Sequence, residues 1–331
     1  MKKKLVVLGS NSFSGQDFVD LALESGRYEV IGVSRSTEPP PFFLKYKSNS
    51  SLKNFRFYPY DMNHHMSELC ALLDSERPEY IVNFAAQSEV APSWDHPEHW
   101  FQTNTVALAN LVNHLRKQNY LQRYLHVSSP EAYGTCVGTV TETTPDNPST
   151  PYAASKAAAD MLLSVYHKQY GFPLLTVRST NVYGARQQLF KIIPRSVIYC
   201  KMRKTIELHG CGHAIKSYIH IRDISHGEMA ILEKGKIGER YHLSPDGGVS
   251  VRDVVAMLCE LQGIPFDQQC KSVAERPGQD AAYVIDSTKA RSELGWKPQI
   301  SIHEGLKETV AWVNENWEAI TKQSLQYDHK A

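Results

Sequence analysis

The sequence has no long apolar run and no excess of charge. A helix that spans a bilayer needs about 20 consecutive apolar residues, and no segment of the chain approaches that length. The first apolar run, Leu5–Leu8, follows three lysines and ends at Gly9, so we expect a buried strand and not a signal peptide. The formal net charge is only +1, which gives no overall attraction for nucleic acid or an anionic membrane. We predict neither as a partner.

Metal-binding patterns are also missing. The six cysteines have no metal-type spacing, which is typical of a reduced, cytoplasmic enzyme. The pairs His64–His65 and His96/His99 have no companion cysteine or acidic cluster, whereas a metal ion needs convergent ligands. We therefore predict no metal site.

The sequence does contain a regular alternation of strand-like and helix-like segments. The predicted strands are Leu5–Leu8, Tyr28–Val33, Phe55–Tyr58, Tyr80–Phe84, Tyr124–Val127 and Leu174–Val177. The clearest predicted helices are Phe13–Glu24, Trp100–Lys117, Tyr152–Tyr170 and Ile302–Trp317. Near-continuous apolar strands between helices are typical of a parallel sheet that is covered on both faces.

This alternation predicts an α/β protein with two intimately joined domains. Residues 1–180 are expected to form a Rossmann-type, doubly wound domain that binds NAD(P), with later segments near 215–235 returning to it. Residues 181–331, which are punctuated by glycine and proline, are expected to form a smaller, partly interleaved α/β substrate domain. The polar tail beyond Lys322 is expected to be mobile.

A glycine-containing loop, Gly9–Gly15, joins the first strand to the first helix. A dinucleotide site needs a tight turn there, a small residue near the pyrophosphate and a glycine where helix meets sheet. Gly9 and Gly15 take the outer positions, and Ser12 replaces the middle glycine. Serine is small and can cap the helix or donate to a phosphate. The loop therefore predicts a dinucleotide site despite its altered pattern.

The end of the second strand bears on the choice of cofactor. An acidic residue at this position binds the ribose hydroxyls of NAD, whereas an arginine pairs with the 2′-phosphate of NADP. The sequence has Ser34-Arg35-Ser36 and no acid before Glu38. We expect NAD or NADP, with NADP slightly favoured.

Tyr152 and Lys156 lie one helical turn apart on the same face of a predicted helix. A nearby ammonium favours the phenolate, so we expect a lowered pKa for Tyr152 and a role as general base. Lys156 is also placed to hold the nicotinamide ribose. The segment Ser128–Gly134 follows the fifth strand, at the carboxyl edge where parallel sheets present ligand groups.

Together these segments resemble the extended short-chain dehydrogenase/reductase family over nearly the whole chain. The motifs that carry the resemblance are Gly9–Gly15, Asn83–Ala86, Thr103–Asn104, Ser129–Gly134, Tyr152 with Lys156, and Asn181–Gly184. Three further segments are similar to the nucleotide-sugar 4,6-dehydratase group, mainly its dTDP-glucose branch. They are Tyr183–Gln187 with Lys191–Pro194, Glu275–Asp280 with Tyr283 and Asp286, and Glu293–Pro298.

The resemblance implies a three-stage reaction on a nucleoside-diphosphate hexose. C4 is oxidised by the cofactor, water is eliminated across C5 and C6, and the hydride returns to C6, which gives a 4-keto-6-deoxy sugar. By resemblance Tyr152 is the base for the C4 hydroxyl, Ser129 supports it and Lys156 assists. Glu131 removes the C5 proton, a step that a simple 4-epimerase does not need.

The resemblance also implies the binding residues. The cofactor contacts are Gly9, Asn11, Ser12, Phe13, Gly15, Arg35, Asp61, Met62, Ala85, Ala86, Asn104, Tyr152 and Lys156. The substrate contacts are Gln87, Asn181, Lys191, Lys216 and Arg276.

The sequence departs from the family at several positions. Pro130 stands where the dTDP-glucose enzymes have an aspartic acid that protonates the leaving hydroxyl. The resemblance implies that dehydration is still possible, because relatives that act on GDP-mannose also lack this aspartic acid and use the glutamate or a water instead. Lys216, Ser217 and Ala282 replace a usual arginine, aspartate and arginine. These departures leave the nucleotide and the hexose open.

Other activities on the same scaffold stay open at this point. They are UDP-glucuronate decarboxylase, nucleotide-sugar epimerase or ketoreductase, and, in another class, a non-catalytic cofactor-binding regulator. The helices Trp100–Lys117 and Tyr152–Tyr170 resemble the four-helix interface of the family, so a homodimer is expected.

Overall fold

The structure is a computed structural model that describes residues 2–135, 138–274 and 282–330. In chain order the strands are β1 (Lys3–Leu8), β2 (Tyr28–Val33), β3 (Phe55–Tyr58), β4 (Tyr80–Asn83), β5 (Arg123–Val127), β6 (Leu174–Ser179), β7 (Asn181–Tyr183), β8 (Ile206–His209), β9 (Ile215–Lys216), β10 (Tyr218–His220), β11 (Arg240–Leu243), β12 (Val249–Ser250), β13 (Cys270–Val273) and β14 (Ala282–Tyr283). The helices are α1 (Phe13–Glu24), α2 (Met66–Glu76), α3 (Pro97–Phe101), α4 (Leu108–Leu115), α5 (Pro151–Tyr170), α6 (Ile192–Met202), α7 (Ile221–Lys234), α8 (Val251–Leu261), α9 (Phe266–Gln269), α10 (Thr288–Leu294), α11 (Ile302–Glu315) and α12 (Trp317–Ile320).

Within the described residues, seven strands form one parallel sheet in the order β11-β6-β5-β4-β1-β2-β3. The chain moves outward from β1 through β2 to β3 and then returns to place β4 on the other side of β1. The strand order therefore reverses between β1 and β4, and doubly wound sheets bind ligands at the carboxyl ends of the strands at such a point. The predicted Rossmann-type fold is confirmed.

Both faces of this sheet are buried, as the apolar strands predict. Side chains alternate along a strand, so Leu5 and Val7 pack in one core with α1 and α7, whereas Val6 and Leu8 pack in a second core with α2, α4 and α5. Since a two-sided sheet has no solvent face, its strands need no polar residue at every second position.

The second half of the chain forms a smaller unit of short sheets and helices. Two-stranded pairs β7–β10 and β8–β13 and a three-stranded sheet β12-β9-β14 accompany α6, α8 and α11. The segment that returns to the Rossmann unit runs past the predicted 215–235, because α7 packs on α1 and β11 pairs with β6. The division at residue 180 stays a prediction.

The long helix expected over Trp100–Lys117 is interrupted. It begins as α3, changes to a π-helix over Gln102–Ala107 and continues as α4. Short π-helical turns are frequent at functional sites, and this one carries the buried side chain of Asn104. Among the described residues, no helix combines the length and apolar character that a membrane crossing requires.

Candidate active site

The loop after β1 requires glycine at two positions. Gly9 has a φ of 80°, and a Cβ there would lie 2.7 Å from the backbone nitrogen of Ala85. A Cβ on Gly15 would lie 2.2 Å from the carbonyl oxygen of Gly9. Ser12 caps α1, since its hydroxyl accepts a hydrogen bond of 3.0 Å from the Gly15 amide. The loop therefore closes tightly and leaves the start of α1 facing the crevice between β1 and β4.

A cavity of about 670 Å³ opens at this crevice. Most of the residues predicted to bind the cofactor line it: Gly9, Asn11, Ser12, Phe13, Arg35, Asp61, Met62, Ala85 and Ala86, together with Gln87. A cavity lined by a helix N-terminus and a glycine turn suits a dinucleotide, because the helix end favours a pyrophosphate. The residues present therefore fit a bound nicotinamide cofactor.

The segment after β5 presents Ser129 and Glu131 at the same edge of the sheet. Ser129 is buried, and its hydroxyl accepts a hydrogen bond of 3.2 Å from the Glu131 amide, which caps a 3₁₀ turn over Pro130–Tyr133. Proline suits the first position of such a turn because its φ is already fixed there. Glu131 is thus held on a short, rigid turn.

Tyr152 and Lys156 lie in the first turns of α5, which begins behind the N-cap Thr150. Both side chains are buried, with 9% and 3% exposure. The Lys156 ammonium donates a hydrogen bond of 2.8 Å to the carbonyl oxygen of Val127, at the end of β5. The pair is therefore fixed beside the turn that carries Ser129.

The electrostatics differ from the expectation for Tyr152. Burial raises the pKa of Tyr152, the negative charge of Glu131 raises it further, and a hydrogen bond with Ser129 offsets part of the effect. Burial lowers the pKa of Lys156 to about 8, against the attraction of Asp160. The predicted lowering of the Tyr152 pKa is therefore wrong for the protein alone, and a base role needs further positive charge beside the phenol.

Asn104 is a positioning residue and does not line the cavity. Its carbonyl oxygen accepts a hydrogen bond of 2.8 Å from the Gln87 amide, and its NH₂ group donates to the Ser155 hydroxyl at 2.9 Å. The Ser155 hydroxyl in turn donates to the carbonyl oxygen of Tyr152. Asn104 thereby ties the loop after β4 to the first turn of α5.

The remaining predicted residues are placed less directly. Asn181 begins β7 and Lys216 ends β9, in the smaller unit. Lys191 precedes α6 and forms an ion pair of 2.6 Å with Glu89. Arg276 lies outside the described residues. Gly15 is not among the residues that line the cavity; it lies against the Gly9 carbonyl, where a side chain has no room.

Glu89 is a site residue that the sequence reasoning missed. The predicted catalytic side chains do not line the 670 Å³ cavity, but Glu89 does, and its negative charge also raises the pKa of Tyr152. It therefore lies between the cofactor cavity and the catalytic helix. Its position just after β4, at the carboxyl edge, was the available signal.

The C-terminal tail also reaches the site. Tyr327 packs edge-on against Phe190 with ring centres 5.4 Å apart, and the carbonyl oxygen of Lys330 accepts hydrogen bonds from Gln87 and Arg35. Several tail residues line the cavity. The tail expected to be mobile thus has defined contacts with the site, and its mobility stays a prediction.

The histidines of α3 have neighbours as well. Nitrogen and oxygen atoms of His96, Glu98 and His99 all lie within 4.8 Å of one another. The sequence showed no companion cysteine or acidic cluster for these histidines, but in the structure Glu98 and, from the tail, His329 lie beside them.

Known proteins resemble the chain in sequence and in structure. A family model described as GDP-mannose 4,6 dehydratase matches residues 6–309. A dTDP-glucose 4,6-dehydratase from Xanthomonas campestris pv. campestris is 35% identical over 269 residues, which are 74% of this chain and 76% of the relative. The structure of a dTDP-glucose 4,6-dehydratase from Bacillus anthracis, in complex with NAD, is 28% identical, with a TM-score of 0.86 over 96% of this chain and 98% of the other. A UDP-glucose 4-epimerase from Thermotoga maritima superimposes equally well, with a TM-score of 0.86 and 26% identity over 95% and 99% of the two chains.

With the crevice and the Tyr–Lys helix described above, these matches place the chain in the extended short-chain dehydrogenase/reductase class, as an enzyme that binds NAD(P). Within that class the chain belongs to the family of GDP-mannose 4,6-dehydratase, the nucleotide-sugar 4,6-dehydratases, which are hydro-lyases. The predicted family and enzyme class are confirmed.

The glycine loop gives a direct test of the cofactor cavity. We expect Gly9→Ala to bind the cofactor at least about tenfold more weakly, a loss of about 1.4 kcal/mol of binding free energy, because its Cβ meets the backbone of Ala85. The variant should therefore keep less cofactor through purification. Gly26→Ala is the matched control: Gly26 also has a positive φ, of 67°, but no atom lies within 4 Å of its Cβ. The control is expected to lose about 1 kcal/mol of stability and keep its cofactor. Equal cofactor content in the two variants, measured by chromatography of the released ligand, would contradict this assignment.

Proposed function

We propose that the chain dehydrates a nucleoside-diphosphate hexose with Glu131 as the base at C5. The observation that carries the proposal is the placement of Glu131 on a capped turn whose carboxylate is close enough to raise the Tyr152 pKa. A simple epimerase needs the tyrosine and the lysine but has no use for a second base. The overall fold does not distinguish the two, since an epimerase superimposes as well as a dehydratase.

The first stage removes the proton of the C4 hydroxyl. Tyr152 accepts this proton, and Ser129 stabilises the phenolate through the hydrogen bond that already opposes the raised pKa. NAD(P)⁺, when bound, accepts the hydride from C4 and later gives it back. Lys156 keeps a positive charge on the same face of α5.

The second stage eliminates water. Oxidation at C4 makes the C5 proton acidic, and the Glu131 carboxylate removes it. Pro130 cannot donate a proton, so we assign the protonation of the leaving C6 hydroxyl to Glu131 itself or to a water. If Glu131 is the acid, it passes the proton taken from C5 to the C6 hydroxyl, which leaves as water. Hydride return to C6 and a solvent proton at C5 complete the 4-keto-6-deoxy product.

Glu131→Gln tests this division of roles. The variant should still oxidise C4, because Tyr152 is intact, and should accumulate reduced cofactor and a 4-keto sugar that has not lost water. Elimination should slow by about 100- to 10,000-fold, the usual cost of losing a proton-transfer group.

The substrate is found with a panel of dTDP-, UDP-, GDP- and CDP-sugars, which starts with dTDP-glucose because of the relatives above. Mass spectrometry shows whether each sugar loses water or carbon dioxide.

The contrast variant is Tyr152→Phe, which should stop the reaction before any cofactor is reduced. Pro130→Asp restores an acid beside Glu131 and is expected to speed departure of the C6 hydroxyl if that step is limiting. Dehydration by Glu131→Gln at near-native rate would remove the chemical basis of the proposal. Loss of carbon dioxide from UDP-glucuronate by the native protein would favour the decarboxylase.

For the cofactor we propose NADP over NAD. Arg35 lies at the cavity beyond β2, with Ser34 and Ser36 beside it. The next acid along the chain, Glu38, is already occupied: its carboxylate accepts hydrogen bonds from the Tyr46 hydroxyl at 2.7 Å and the Lys47 ammonium at 2.6 Å. An arginine at this position suits a 2′-phosphate.

Cofactor released from the purified native protein should accordingly be mostly NADP. Arg35→Ala should weaken NADP binding by roughly 10- to 100-fold, the worth of a charged hydrogen bond, and leave NAD binding nearly unchanged. Lys53→Ala, which removes an exposed charge away from the cavity, serves as the control. Predominant NAD in the native protein would reverse the preference.

We also propose a homodimer formed by α3–α4 and α5. These helices carry large apolar side chains at the surface: Phe101, Val106, Met161 and Val165 are 38%, 45%, 58% and 59% exposed. Apolar residues gathered on two neighbouring helices are typical of an interaction surface. A second copy would cover them in a four-helix arrangement.

Val165→Glu should therefore give a monomer at micromolar concentration, because a carboxylate buried against an apolar face is strongly unfavourable. Ile237→Glu, at a position that is 39% exposed between α7 and β11, should leave the mass in solution unchanged. Light scattering measures both. A native protein that is monomeric at the same concentration would refute the interface.

A further inference from the structure

A group of metal-type ligands lies at the start of α3, outside the catalytic residues. His96 is the N-cap residue of α3 and His99 lies in the first turn of that helix, and their ring nitrogens lie within 4.8 Å of each other. Glu98 lies between them: its Oε1 is 3.9 Å from Nδ1 of His96 and 3.7 Å from Nε2 of His99. Two ligand atoms on a tetrahedral zinc ion, with bonds of about 2.0–2.1 Å, lie roughly 3.3–3.5 Å apart. The two histidine–carboxylate pairs therefore need to close by only a few tenths of an ångström to share one ion, and all three ligand atoms lie within 4.8 Å of one another.

The C-terminal tail orients one of these histidines. Nδ1 of His99 lies 2.9 Å from Nε2 of His329, and Nδ1 of His329 lies 3.2 Å from the Tyr327 hydroxyl. If His99 donates through Nδ1–H, Nε2 carries the lone pair on the side of Glu98. A second hydrogen bond of this kind is what metal-bound histidines usually make, because it fixes the tautomer and the ring.

The His329 ring is itself held from both sides. It stacks on the fully buried Trp100 with ring centres 5.2 Å apart and an angle of 7°. It also stacks against His96, the N-cap residue of α3, with 5.4 Å between ring centres and 2° between planes. Three imidazoles from segments 230 residues apart thus meet beside one carboxylate. Such convergence is unexpected for surface histidines with no ligand.

We propose that His96, Glu98 and His99 bind one divalent transition-metal ion, with His329 of the tail orienting His99. Two imidazoles and one carboxylate suit Zn²⁺, Co²⁺ or Ni²⁺, whereas Mg²⁺ and Ca²⁺ prefer oxygen ligands. The ion has no part in the dehydration, since its ligands are not among the residues assigned to that chemistry. Because His329 of the tail contacts the ligand His99, the bound ion stabilises the tail on α3, next to the cavity that tail residues line.

The test is equilibrium dialysis of the tag-free, full-length protein against Co²⁺. We expect one saturable Co²⁺ per chain, visible d–d absorption of a low-coordinate site, and displacement by Zn²⁺ but not by Mg²⁺. The double variant His96→Ala/His99→Ala should lose the site. His329→Ala should bind about 10- to 100-fold more weakly, the usual effect of removing a partner that orients a ligand.

His303→Ala is the matched control, because His303 is exposed on α11 and belongs to none of the sites described. It should bind Co²⁺ like the native protein. Circular dichroism and cofactor content show whether each variant is folded. Absence of saturable Co²⁺ binding by the native protein, or equal binding by the folded double variant, overturns the site. Unchanged affinity in His329→Ala overturns the role of the tail.

Discussion

The catalytic edge of the sheet depends on one buried cation, the guanidinium of Arg178. This side chain of β6 has no exposed surface. It donates two hydrogen bonds to the carboxylate of Asp146, which precedes α5, and a third to Asp160, within α5. Asp160 also accepts from the Ser128 hydroxyl at 2.6 Å. The ion-pair network therefore fixes α5 against β6 and against the loop that continues into Ser129. Removing one partner from such a buried network lowers the stability of a protein by about 3–5 kcal/mol.

The same network sets the charges near the reacting groups. Asp160 is one turn beyond Lys156 and opposes the effect of burial, which lowers the Lys156 pKa to about 8. Burial lowers the pKa of the neighbouring His126 to about 3, so this ring stays neutral and adds no positive charge. Tyr152 meanwhile keeps its proton because burial and Glu131 disfavour the phenolate. The tyrosine therefore has little tendency to ionise unless further positive charge lies beside it.

The sequence predicted well those features that depend on neighbouring residues. The bounds of α1, β2 and β3 follow from apolar runs and local capping, and they are confirmed. The glycine turn followed from the needs of a β1–α1 loop. In contrast, the pairing of Arg178 with Asp146 and Asp160, or of His329 with His99, joins residues far apart in the chain. Periodicity and spacing carry no information about such contacts. The raised Tyr152 pKa was missed for a related reason: it comes chiefly from burial and from the charge of Glu131, and both depend on the folded protein.

The turn around Pro130 restricts the backbone of Glu131, which matters if this one carboxylate both removes the C5 proton and protonates the C6 hydroxyl. An acid that takes a proton at one carbon and delivers it to an oxygen on the next must stay within hydrogen-bond reach of both sites, which favours a fixed backbone. Ser129 caps the turn and proline fixes its first φ, so the Glu131 backbone has little freedom. An aspartate at position 130 would supply a second acid but would give up the ring that stiffens the turn. If Glu131 makes both proton transfers, as proposed above, tighter placement of one carboxylate replaces a second proton donor. That is chemically sufficient because elimination of water leaves no net proton on the protein.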